Sequence, residues 1–262
     1  MSTIPNLPTE RVAQSLITNL VLGRTRQCPS CRACLRRSPT YWWCRCCRRK
    51  VTAKSVSWLR QSNLRYQQLY LLIACWQARY GVGSVKAFTG MSYPTIARWY
   101  ARFRAHLPED TVPLSGEVAV DEACFGRRRY SGQTWVVGAT EIGSGRRRLA
   151  IVGCRDEATL HRFVLDTVTT DSYLYTDGWG SYGALCDYGY GHTVAKHEDG
   201  QFDQTAYIES VWSAAKRQVR RMYTKTVQAY LVTLIREWEA RANFPKLFTS
   251  PLAYLEGVLV PS

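Results

Sequence analysis

Acid is missing where base is abundant. Between Arg11 and Pro108 there are 18 lysines and arginines and no aspartate or glutamate, in a chain of 262 residues with 35 basic and 20 acidic side chains and a formal charge of +15. Outside that stretch the chain is nearly balanced, 17 basic against 20 acidic. A surface that only needs hydration mixes both signs. Single-sign charge gathered into one segment suits a polyanion, and nucleic acid is the partner it points to. Long apolar runs are also missing: none reaches the ~18 residues of a membrane span. The opening stretch MSTIPNLPTERVAQ lacks the basic-then-apolar order of a secretory signal. The expectation is therefore neither a membrane nor a secreted protein. A cytoplasmic, nucleoid-associated location is expected, or a nuclear one in a eukaryotic host.

Cysteine is not scarce but is unevenly placed. Six of the ten lie between Cys28 and Cys47, while Cys75, Cys124, Cys154 and Cys186 stand singly in apolar surroundings and read as small core residues. A clustered set without a secretory signal reads as metal ligation. Cys28-Pro-Ser-Cys31 and Cys44-Arg-Cys-Cys47 each offer two thiolates, with twelve residues between the pairs. Two such knuckles close a tetrahedral Zn²⁺ site, and in so small a segment the one structural ion would supply the folding energy. Cys34 and Cys46 are surplus, either spectators or, for Cys46, a substitute for a neighbouring ligand. Tyr41-Trp42-Trp43 packs the ribbon or stacks on bases.

Periodicity divides the chain further. A short amphipathic stretch, Val12–Leu22, lies in an N-terminal arm (1–23). The zinc ribbon occupies 24–54, and residues 55–108 carry helical patterns at Tyr66–Arg79, Val82–Phe88 and Ser92–Arg104. Gly90 falls in the turn before the third helix, which Ser92 can cap. Three helices with a glycine turn and a basic last helix form the layout of a helix-turn-helix, or a helical linker with a solvated basic face. The residues expected to meet double-stranded DNA are Arg36, Arg37, Arg48, Arg49, Lys50, Thr95, Arg98 and Arg102.

Beyond about residue 115 the pattern turns to strands. Glu117–Phe125, Thr134–Glu141, Arg148–Cys154, Ser172–Thr176 and His192–His197 are strand candidates. Helical stretches lie at Glu157–Val168, Trp179–Asp187, Thr205–Tyr223 and Val227–Ala242. This order predicts an α/β domain over 115–246, a mixed sheet with helices packed on it, followed by a C-terminal tail, 247–262.

Three carboxylates sit where chemistry would need them. Asp121 lies within the apolar strand Glu-Val-Ala-Val-Asp-Glu, where an unpaired charge is costly unless it binds a cation. Glu122 beside it points to the other face. Asp177 ends the fourth strand before Gly178, and Glu209 lies in the first turns of a helix. Together they could hold two Mg²⁺ (or Mn²⁺) ions, one activating water or a 3′-hydroxyl and the other stabilising the leaving oxygen. Lys216, seven residues after Glu209, shares its helix face and could reach a phosphate. Any one of these acids alone would read as a surface residue.

The runs Val-Asp-Glu-Ala-Cys-Phe-Gly (120–126), Thr-Asp-Gly-Trp-Gly-Ser-Tyr (176–182), Gly-Tyr-Gly-His-Thr-Val-Ala-Lys-His (189–197) and Ile-Glu-Ser-Val-Trp-Ser-Ala-Ala-Lys-Arg (208–217) resemble the DDE transposases of zinc-ribbon insertion sequences (ISXO-like), bacterial relatives of Merlin elements. The resemblance runs from Cys28 to about Phe244. It implies an RNase H-like catalytic domain with Asp121, Asp177 and Glu209 as metal ligands and Lys216 on DNA. The reading is therefore a DNA transposase expected to recognise terminal inverted repeats, cleave at the element ends and join the 3′-hydroxyl to target DNA; because two ends must be joined in one event, a homo-oligomer on DNA is expected. His192 and His197 match family positions, as catalytic helpers or as packing residues; Trp179 and Trp212 read as core anchors. The family has His-Thr-Asn where this chain has Gln204-Thr205-Ala206. That departure keeps open a repurposed DNA-binding protein, and the acids alone would also suit an RNase H-like nuclease or resolvase.

Overall fold

The computed structural model describes residues 7–23, 25–60, 62–126, 133–176, 180–194, 206–222 and 228–259. It divides into two compact units, one of Met1–His106 with Lys246–Ser262, the other of Leu107–Pro245.

The first unit begins with α1 (Glu10–Leu22), whose N-terminus is capped by the Thr9 hydroxyl accepting from the Val12 N–H at 3.4 Å. A small antiparallel sheet follows: β1 (Arg36–Arg37), β2 (Trp42–Cys44) and β3 (Arg49–Val51). Three helices come next, α2 (Tyr66–Gln77), α3 (Val82–Thr89) and α4 (Tyr93–Ala105). Gly90 ends α3 in the left-handed conformation at φ 69°, where a side chain would be strained, and Ser92 caps α4 by accepting from the Thr95 N–H. Glu10, the last acid before the acid-free stretch, is spent inside the unit. Its two carboxylate oxygens accept the N–H groups of Tyr66 and Gln67 at 3.1 and 2.8 Å, where negative charge complements the α2 dipole.

Within the N-terminal arm, α1 buries Ala13, Ile17 and Leu22. Within the C-terminal segment, Pro251–Leu259 is a helix that packs on α1 and α2. Its Tyr254 lies fully buried among Trp76 and Phe103, edge-on at 5.2 and 5.7 Å, and donates its hydroxyl to the Phe103 carbonyl at 2.9 Å. A nine-residue segment is too short for a periodic signal, so the sequence shows little of this anchor.

The second unit is a five-stranded mixed sheet of β4 (Glu117–Phe125), β5 (Thr134–Glu141), β6 (Arg147–Val152), β7 (Tyr173–Thr176) and β8 (Gly191–Val194), in the order β6-β5-β4-β7-β8. β4, β5 and β6 are antiparallel neighbours, whereas β7 runs parallel to both β4 and β8. α5 (Glu157–Thr167), begun by the Asp156 side chain accepting from the Thr159 N–H at 2.8 Å, supplies the crossover between β6 and β7. A 3₁₀ segment, Gly180–Tyr188, precedes β8; α6 (Ala206–Met222) and α7 (Gln228–Asn243) follow it.

Alternation along β4 sorts two cores. Val118 and Val120 join Leu160, Val164 and Leu174 on one face, whereas Ala119, Ala123 and Phe125 join Ile208, Trp212, Leu234 and Trp238 on the other. α6 and α7 are tied by a buried polar network: Trp238 Nε1 donates to Gln218 Oε1 at 3.0 Å, and Gln218 Nε2 and Arg241 Nε both donate to Glu237 Oε1. Every member is partnered, as burial at this depth demands.

Candidate functional site

The thiols meet as their spacing predicts. The Sγ atoms of Cys28, Cys31, Cys44 and Cys47 all lie within 4.8 Å of one another, with 3.9 Å between Cys28 and Cys47 and 3.5 Å between Cys31 and Cys44. Four sulfurs around one Zn²⁺ at ~2.3 Å would stand about 3.8 Å apart, so the cluster has the size of such a site. Its electrostatics agree. The Cys47 thiol is pushed up to about 12 by the Cys31 side chain, burial and the other thiols, because so many sulfurs cannot ionise together without a cation. Cys34 and Cys46 are exposed and outside the cluster.

The basic residues singled out in the ribbon, Arg36, Arg37, Arg48, Arg49 and Lys50, are all exposed. Those on α4 divide. Arg98 is exposed, and the Thr95 hydroxyl is 2.8 Å from that of the capping Ser92. Arg102 is already engaged: its guanidinium lies over Trp99 at 4.4 Å and Trp58 at 5.5 Å and donates to the Trp58 carbonyl. It braces the helix from within, a role that its spacing from Arg98 conceals.

In the second unit, Asp121 lies on the β4 face that meets α6, half-exposed, and Glu122 on the opposite face. Asp121 Oδ1 accepts from the Glu122 N–H at 2.7 Å, and Oδ2 accepts from the indole N–H of Trp212 at 3.0 Å. Trp212 is thus more than a core anchor. Its ring passes over Gly138, the residue paired with Asp121 on β5; a Cβ there would stand 2.7 Å from Trp212 Cη2 and 2.7 Å from Leu149 Cδ2. Glycine at 138 makes room for the ring that holds the carboxylate.

Glu209, Trp212 and Lys216 fall at i, i+3 and i+7 on α6, one stripe of the helix. Glu209 is exposed and Lys216 half-buried. The indole bond ties that stripe to β4, and Glu209 and Lys216 lie one helical turn to either side of Trp212. Asp177, Trp179, His197 and Gln204 lie outside the described residues. Among the described residues the parallel pairing of β4 with β7 ends at Val120↔Thr176. His192, on β8, has Nε2 2.8 Å from the Thr176 hydroxyl, and burial lowers its pKa, favouring the neutral ring.

Carboxylate oxygens of this kind are the hard donors that Mg²⁺ or Mn²⁺ prefers. The Glu122 and Trp212 N–H groups hold the two Asp121 oxygens in one orientation.

No curated protein matches the chain. Among solved structures, the simian T-cell lymphotropic virus intasome bound to PP2A regulatory subunit B56 gamma is similar at a TM-score of 0.35 and 10% identity, over 63% of this chain and 66% of that one. The HTLV-2 integrase catalytic core domain in complex with magnesium gives 0.33 and 10%, over 50% and 87%, and the BIV integrase catalytic core domain 0.32 and 17%, over 46% and 81%. Likeness of that degree carries no argument; the second unit is described by its own mixed five-stranded sheet. The family model of the ISXO2-like transposase domain matches residues 113–243, from the approach to β4 through the end of α7. The chain belongs to the ISXO2-like transposase family.

Proposed function

We propose that the protein is a DNA transposase whose second unit cuts phosphodiesters at the ends of its insertion sequence and joins the freed 3′-hydroxyl to target DNA. The observation that carries this reading is the Trp212–Asp121 hydrogen bond, which couples a strand carboxylate to the helix stripe bearing Glu209 and Lys216. Asp121, Asp177 and Glu209 are the residues that would hold divalent metal, two Mg²⁺ or Mn²⁺ ions. When bound, metal would supply Lewis-acid stabilisation of charge developing on the attacking and leaving oxygens. Lys216 would neutralise a phosphate beside the scissile bond. His192, kept neutral, orients the Thr176 hydroxyl immediately before Asp177.

The first unit would deliver the DNA. The four-cysteine cluster would hold one structural Zn²⁺, and α3–Gly90–α4 would serve as the helix-turn-helix that reads the terminal inverted repeats, with Arg98 and the ribbon cations on the duplex. Two ends must be processed in one event, so the working form is a homo-oligomer on DNA.

The test is an excision and strand-joining assay on DNA carrying the repeats that flank the gene, with Mg²⁺. Joined product from the wild type, and none from Glu209→Ala or Asp177→Ala at DNA affinity within a few-fold, would support the assignment. Nicking without joining would favour an RNase H-like nuclease. Ala206, at the start of α6 where the family has Asn, favours a second reading, a repurposed DNA-binding protein. Binding without any cleavage, regained on restoring Asn at 206 and His at 204, would establish it.

A further inference from the structure

The first unit contains a cleft of about 660 Å³ between α1 and the β1–β2 hairpin. That volume is in the range of ligand pockets and well above what one phosphate fills. α1 turns a polar stripe toward it, Arg11, Gln14, Ser15 and Thr18, at i, i+3, i+4 and i+7. The hairpin faces that stripe with Arg37, Ser38 and Thr40, and no carboxylate lines the space. Sheet alternation explains which cation enters. Arg37 pairs with Trp42, another lining residue, whereas Arg36 pairs with Trp43 and, through it, Lys50 on the opposite face. A third cation is fixed in place: Arg26 donates to the Gly23 carbonyl and the Asn19 side chain and lies 5.2 Å over the Trp42 ring. Arg11 and Arg37 are exposed.

Three guanidinium groups around a concave space with no acid leave a focused positive potential. Hydroxyl and amide donors beside them suit a ligand rich in acceptor oxygens. We propose that this cleft is a phosphate-ester site that takes successive phosphates of one DNA strand on Arg11 and Arg37, with Arg26 held as a third cation. This rests on DNA being the first unit's partner, and it assigns the cleft to backbone grip rather than base reading.

The experiment measures the affinity of the full-length, zinc-loaded protein for an element-end duplex and for an unrelated duplex across several salt concentrations. Each lost phosphate contact makes the plot of log affinity against log salt shallower by about 0.9. Arg11→Gln/Arg37→Gln should therefore flatten it by about two, weaken both duplexes equally and leave the melting temperature unchanged. Arg11→Lys/Arg37→Lys should restore the slope. An unchanged slope, or a loss confined to the element ends, would overturn the proposal. So would ATP binding that the Gln variant abolishes while the DNA slope stays constant, since the site would then belong to a free nucleotide. A wild type that binds no DNA at all would overturn the proposed function itself, and the strand assignment with it.

Discussion

At the scale of single residues, the arrangement around Asp121 concentrates the testable chemistry. Trp212→Phe keeps the ring's packing and deletes one N–H donor to a carboxylate, a bond of about 1.5–3 kcal/mol. Strand cleavage should fall by roughly tenfold or more while DNA affinity is unchanged; equal loss of both would make Trp212 a packing residue only. Gly138→Ala should do comparable damage without touching Asp121, because its methyl group would meet the indole at 2.7 Å. Neither residue is legible as a site in the sequence. Asp121 and its indole partner are 91 residues apart, and a buried Trp on a helix and a glycine in a strand each look complete as core. Glu239 offers a pH test. Burial pushes its carboxyl up to about 7, above the usual carboxylate range, although the Leu149 N–H donates to it at 2.6 Å. A raised folded-state pKa means stability present below the unfolded value of ~4.5 and lost as pH rises through 7. Glu239→Gln keeps an acceptor for Leu149, so it should melt like wild type near pH 4.5 and be more stable above pH 7, by on the order of 3 kcal/mol.

At the scale of elements, the ribbon depends on its cluster. β1, β2 and β3 contribute two, three and three residues, too few to hold a sheet without a staple. Chelation, or Cys44→Ser, should abolish the ribbon's amide protection in hydrogen exchange. Cys34→Ser and Cys46→Ser should leave it intact, since both thiols stand outside the cluster. Loss of protection in those variants would place them among the ligands. Elements were legible where local pattern and tertiary demand coincide. β4 and β5 match their expected bounds because valine-rich alternation is also the pattern that fills two cores. The thiol knuckles were legible because ligand spacing is itself local. The last helix was not, since Tyr254 is ordered by distant aromatic rings rather than by its own neighbours in sequence.

At the scale of the whole molecule, charge and chemistry are divided between the two units. All 18 basic residues of the acid-free stretch fall in the first, and the candidate metal carboxylates fall in the second. Asp121→Asn should accordingly leave the salt dependence of DNA binding unaltered, as read from affinities at several ionic strengths, while removing strand cleavage. A changed slope would put the second unit's carboxylates in the DNA-binding balance as well. No described helix is long and apolar enough to cross a membrane.

Glu10 gives the charge imbalance a further meaning. It is the only carboxylate before Glu109, and both of its oxygens are consumed by backbone amides at the start of α2. The stretch that follows has no acid of its own to quiet its cations, so its neutralisation must come from outside. Ionic strength should then act in two opposite directions: dissolved anions relax the self-repulsion of the folded unit, and under the proposed function they would compete with DNA for the same guanidinium groups. If the proposed DNA contact holds, the conditions that best preserve this part of the chain on its own are those in which it would grip DNA least, and DNA would serve as its counterion.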